Sequence, residues 1–140
     1  MYHIAVLTQE ETLGKRLETQ IAEFCRENGR FPRIEGYLDQ EKFFRAAPGA
    51  AFSNAVIALP GVAGLNAAEH LRGLCPACRI IWCSDLDFSL HAFRLRADYF
   101  LLEPVTEAAL RQGFCSWLDG KKPVEQRRVD RNEHNKENAL

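Results

Sequence analysis

No carboxylate occurs between Glu41 and Glu69 in this 140-residue chain. That stretch holds the most continuously apolar segment, "NAVIAL", so its deepest strand has no acidic nucleophile and no acidic metal ligand. No apolar run is long enough to span a bilayer, and the opening "MYHIAVLTQEE" lacks the layout of a secretory signal. The expectation is a cytoplasmic protein without a membrane partner. A formal charge of −1 provides no whole-molecule field for nucleic acid or a lipid surface. Five cysteines are an odd set for a disulfide framework and fit reduced thiols. No internal repeat is evident.

What remains is an ordinary globular composition, 46% hydrophobic and 26% charged, in a length that suits one domain. "YHIAVL" reads as a strand. Thr8 then stands as an N-cap with Glu11 three residues on, and Leu13, Leu17, Ile21 and Phe24 form one apolar helical face that stops at Gly29. "RIEGYL" is a second strand, followed by Asp39 as a cap, a short helix with Phe43 and Phe44, and "AAPGAA" as a breaker. "NAVIAL" is apolar throughout, as a strand buried on both faces should be, and enters the turn "PGVAG". Ala67, Ala68, Leu71 and Leu74 mark the next helix and "RIIWCS" the fourth strand. Leu86, Leu90 and Phe93 seed a fourth helix. "DYFLL" is the fifth strand, and Thr106 caps a last helix with Leu110, Phe114 and Trp117 inward.

This alternation predicts an α/β fold of the flavodoxin-like (βα)5 type: an open parallel sheet in the order 2-1-3-4-5 with helices on both faces. The domain spans residues 1–119, and 120–140 form a polar flexible tail, too poor in apolar residues to fold alone. In that tail Lys121, Lys122, Arg127, Arg128 and Arg131 are interleaved with acids, which argues against a dedicated nucleic-acid binder.

Three stretches, "LPGVAGLNAAEHLRGLCPACRII", "SLHAFRLRADYFLLEPVTEAAL" and "IAVLTQEE", resemble the response-regulator receiver (CheY-like) domain, in the subtype that precedes LytTR DNA-binding domains. The resemblance covers roughly residues 2 to 118. It implies phosphoryl transfer to an Asp at the end of the third strand, with Mg²⁺ held by acids after the first strand. It further implies a hydroxyl at the end of the fourth strand, and a Lys before a cis-Pro after the fifth. Residue by residue, the acid pair falls on Thr8 and Gln9, and the acceptor on Val56 or, with a two-residue gap, Ala58. The hydroxyl falls on Cys83 or Ser84, the Lys on Glu103, and the cis-Pro is Pro104. The carboxylates are missing and the cation is reversed, so the expectation is a non-catalytic pseudo-receiver without cofactor.

Glu103 reads either as a new general acid or base or as a side chain facing solvent or bonded to Thr8, Gln9 or Ser84. Position alone is weak warrant for chemistry, which favours the second. "CPAC", Cys75 to Cys78, has redox or zinc-ligand spacing, extendable to His70 and Cys83, but it stands after a helix and before a strand, so incidental loop thiols are the expectation. Receivers commonly use the fourth helix, fifth strand and last helix to dimerise or dock. By that resemblance His91, Phe93, Arg94, Asp98, Tyr99 and Arg111 are the interface candidates. The expected activity is signalling or transcription control through a protein partner or a second copy. The alternatives are the regulatory part of a LytTR-type DNA-binding regulator and a thiol or zinc protein.

Overall fold

A computed structural model describes residues 2–119. The tail at 120–140 lies outside the described residues. Five strands, β1 (His3–Thr8), β2 (Arg33–Tyr37), β3 (Asn54–Ala58), β4 (Arg79–Ser84) and β5 (Tyr99–Leu102), form one parallel sheet in the order β2-β1-β3-β4-β5. Between and after them run α1 (Glu11–Glu27), α2 (Gln40–Ala50), α3 (Gly61–Leu74), α4 (Ser89–Leu95) and α5 (Glu107–Asp119). This is the flavodoxin-like arrangement that the alternation predicts.

The two faces of the sheet bury separate cores because side chains alternate along each strand. One face, with Val6, Val56, Ile81 and Leu101, packs under Leu17, Ile21, Leu110 and Phe114 of α1 and α5. The other, with Leu7, Ile57, Ile80 and Trp82, packs under Phe43, Ala67, Leu71 and Ala92 of α2, α3 and α4. Trp82 is fully buried between a stacked Phe88 ring at 5.4 Å and an edge-on Phe100 at 5.3 Å. Trp117 closes the other core at the end of α5.

Four local readings change. Thr8 does not cap α1. It ends β1, and its hydroxyl accepts the Glu10 N–H at 2.9 Å, so the helix starts two residues later than a Thr8 cap requires. "AAPGAA" is not a break: α2 runs through Pro48 and ends at Ala51, in the left-handed region at φ 53°. Pro48 sits in the last turn and lacks the N–H that would bond back to the Phe44 carbonyl, while fully buried Phe43 stacks on Phe52 at 5.7 Å and holds α2 in place. "PGVAG" is helix from Gly61 onward. Gly61 has φ +58°, and a Cβ on Gly64 would lie 2.3 Å from the Leu59 carbonyl oxygen, so both glycines let α3 start tight against β3. In α4 the fully buried residue is Ala92, while Leu86 and Leu90 are each 50% exposed.

The remaining boundaries follow their sequence signals. Gly29 at φ +71° ends α1 with Arg30 N–H on Cys25 O at 2.8 Å and Gly29 N–H on Arg26 O at 3.1 Å. Asp39 caps α2 through Glu41 N–H at 2.8 Å, and Thr106 caps α5 through Ala109 N–H at 3.1 Å.

Candidate functional site

The C-terminal ends of the strands converge where open α/β sheets bind their ligands. Pairing sets Thr8 beside Ala58 and Ala58 beside Cys83 in one row across β1, β3 and β4. Val56 lies two residues deeper, paired with Val6 and Ile81 and fully buried. Of the two candidate acceptor positions, Ala58 is the one at the mouth of the sheet. β3 ends two residues before Pro60, so a count of four back from that proline falls inside the strand.

Ala58 and Cys83 lie at the floor of a cavity of about 250 Å³, with Leu17 and Leu110 behind them. Leu13, Pro104 and Val105 form its sides, and the exposed residues Arg16 and Glu103 stand at its rim. The Glu103–Pro104 bond is cis, as the resemblance implies. Glu103 N–H donates to Ser84 O at 2.8 Å. Among the described residues, none of Thr8, Gln9 and Ser84 bonds its carboxylate, and Glu103 faces solvent. Ser84, adjacent to Cys83, points to the opposite face and uses its hydroxyl to accept Leu86 N–H at 3.2 Å. The group that meets the cavity is thus a thiol. Burial, and secondarily the Glu103 charge, push that thiol up to about 12, leaving a neutral and weak donor.

The fold family implies Mg²⁺ here, and the donors do not fit it. Thr8 is spent on Glu10, Gln9 is neutral and the Ala58 side chain has no oxygen. Glu103 is the one carboxylate lining the cavity, and no cluster of three potential metal-ligating acids, histidines or cysteines occurs among the described residues. Asp85, which the sequence reading passed over, is committed elsewhere. Its Oδ1 accepts Gly61 N–H at 2.8 Å and faces the Ser84 hydroxyl at 3.4 Å, so it ties the loop after β4 to the start of α3. An acid directly after a strand-ending Ser was the available signal.

All five cysteines are free. Cys78 is buried, and burial followed by the neighbouring Cys75 pushes its thiol up to about 12. Its loop is organised by Arg72, which donates to the carbonyls of Cys75, Pro76 and Cys78. His70 stacks on Phe44 at 4.1 Å. These positions describe packed loop thiols. At pH 8 a thiol reagent is expected to label exposed Cys115 first and half-buried Cys75 next, with Cys78 and Cys83 protected until the protein unfolds; peptide mapping after timed labelling checks this.

Stability should also fall in alkali. Below the ordinary thiol value of 9.0, folded and unfolded chains both hold these protons and stability is complete. As pH rises from there toward 12 the unfolded chain ionises first and the folded state loses ground. Thermal midpoints measured across that interval should decline, less steeply in Cys83→Ala.

The interface candidates divide. Asp98 is buried, 9% exposed, and forms a two-pronged ion pair with Arg79, whose Nε and Nη2 reach Asp98 Oδ2 at 2.9 and 2.8 Å. Tyr99 is buried against Gly113 of α5. Arg111 faces the other way, pairing with Glu27 and lying over the Phe24 ring of α1 at 5.4 Å. Asp98 and Tyr99 are thus turned into the fold, whereas Arg111 forms a partly exposed ion pair on the α1 side of α5. His91, Phe93 and Arg94 do stay on α4. His91 stands edge-on to Phe88 at 5.5 Å, and Leu86, Leu90 and Leu102 are each about half exposed.

No family model matches the chain, and no curated protein matches it in sequence. Solved structures do match in fold. The BeF3-activated receiver domain of DrrB is 21% identical with a TM-score of 0.64, over 85% of this chain and 98% of that one. The whole Thermotoga maritima response regulator DrrB, an OmpR/PhoB homologue, gives 21% and 0.65, over 88% of this chain but only 55% of its own length. A two-component response regulator from Clostridium difficile gives 14% and 0.66, over 86% and 98%. The fold is that of CheY-like receiver domains. No helix among the described residues is long and apolar enough to cross a membrane.

Proposed function

We propose that this chain is a receiver-like signalling domain that works without phosphorylation, as a non-enzymatic pseudo-receiver. The observation that carries the reading is the row Thr8–Ala58–Cys83, which brings no carboxylate to the place where receivers accept phosphate. Glu103 adds a negative charge where a phosphate would need a positive one. Asp85 supports the reading from the loop side. It holds the loop after β4 on Gly61 N–H, a restraint that needs no phosphoryl group.

The partner surface is the outer side of α4 and the edge of β5, where Leu86, Leu90 and Leu102 are half exposed around His91 and Arg94. A protein partner or a second copy of the chain would bury that apolar area, at roughly 25 cal/mol per Å². The setting is cytoplasmic signalling or transcription control. The near-neutral formal charge supports a protein partner over direct DNA contact for this chain.

The test is incubation with acetyl phosphate and Mg²⁺ followed by intact mass measurement. The mass is expected to stay unchanged. A base-sensitive phosphate adduct would overturn the proposal.

A further inference from the structure

The cavity at the mouth has an apolar body and a rim of two opposite charges. Its floor is Ala58, Cys83, Leu17 and Leu110, all at most 5% exposed, and Leu13 and Val105 wall it. Arg16 reaches the rim from α1 and Glu103 from the end of β5. Among the described residues these two charges form no ion pair with each other. The Arg16 guanidinium makes one long bond, Nη2 to Val105 O at 3.5 Å, which leaves most of its forked donors for another acceptor. The Glu103 carboxylate is an acceptor only.

We propose that this cavity binds a small zwitterion with an apolar body, of the class of free α-amino acids with a branched or aromatic side chain. The carboxylate of such a ligand meets Arg16, its ammonium meets Glu103, and its side chain fills the space over Ala58 and Cys83. The cavity, of about 250 Å³, is of the size of one such small molecule. Two charges facing two opposite charges fix the orientation, and burial of the apolar body provides the main driving force. Cys83 stays a neutral thiol, so binding is non-covalent. The inference goes beyond the signalling reading and does not depend on it: it stands or falls on ligand binding, whereas that reading stands or falls on the phosphate adduct.

Titration of the ¹⁵N-labelled protein, followed by amide shifts, tests it with L-leucine and L-phenylalanine as probes. Isoamylamine and 4-methylpentanoate each lack one charge, and glycine lacks the body. Saturable shifts are expected at residues around Ala58, Cys83 and Val105, with an L-amino acid binding about tenfold more tightly than either singly charged analogue and glycine not saturating. Glu103→Gln should weaken the amino acid and the amine but spare the acid, and Arg16→Gln should do the reverse. Both side chains are exposed, so neither variant endangers folding. Absence of saturable shifts, glycine equal to leucine, or affinities indifferent to both substitutions would each overturn the proposal.

Discussion

Asp98→Ala is expected to lower stability by about 3–5 kcal/mol, seen as a thermal midpoint roughly 10–25 °C lower. Asp98 Oδ2 takes both Arg79 Nε and Nη2, and Oδ1 accepts Ile80 N–H at 3.1 Å. Arg79 in turn donates to Trp117 O at 2.9 Å and Ser116 O at 2.7 Å, carbonyls in the last turn of α5. One carboxylate therefore fixes the starts of β4 and β5 and, through Arg79, the end of α5. Truncating it leaves a half-buried guanidinium uncompensated and a buried N–H without an acceptor, which is costlier than the net worth of the pair. Asp98→Asn keeps the shape and an acceptor for Ile80 and should lose less. Calorimetry or urea unfolding measures the difference. An unchanged midpoint together with an altered oligomeric state would return Asp98 to the docking surface.

Arg72→Met is expected to cost about 2–4 kcal/mol while retaining most of the side chain's length and apolar body. Among the described residues, no carboxylate is hydrogen-bonded to this guanidinium. It donates instead to five carbonyls: Leu95 at 2.8 Å, Cys75 at 3.3 Å, Pro76 at 2.9 Å, Cys78 at 2.7 Å and Arg96 at 3.1 Å. Those oxygens lie at the C-terminal ends of α3 and α4, where the helix dipoles are negative, so a cation is favoured there without an acid. Burial lowers the Arg72 pKa, yet a guanidinium keeps its proton at neutral pH. Arg72→Lys has only three donors on one nitrogen and should fall between wild type and Arg72→Met. Hydrogen exchange provides the discriminating readout. Amides around 75–78 and 95–98 should lose protection together, and Cys78 should become accessible to thiol reagents. Loss confined to one loop would contradict the shared clasp.

These two arginines mark the limit of what the sequence made legible. Strands and helices were readable because period-2 and period-3.6 apolar patterns are local, and β4 was placed to the residue. The family resemblance located Glu103, Pro104 and the lost acids. The row at the mouth was not readable, since choosing Ala58 over Val56 needs the pairing with Thr8 and Cys83. Asp98 and Arg79 are 19 residues apart, and nothing local in either signals that burial will join them. Arg111 was assigned to a surface by its helix, but which side of α5 it occupies depends on α1. Pro48 was overruled by the packing of Phe43, a tertiary term that a breaker rule cannot contain.

The bond between Asp85 and Gly61 N–H has a consequence for how such a domain could carry information. The carboxylate that restrains this loop is encoded by the chain itself and needs no modifying enzyme to supply it. If the proposed function holds, the message is then carried by how many copies are present and where they are, and its lifetime is that of the polypeptide. Control would fall to synthesis and degradation, with the ligand at the Arg16–Glu103 rim as the one fast input.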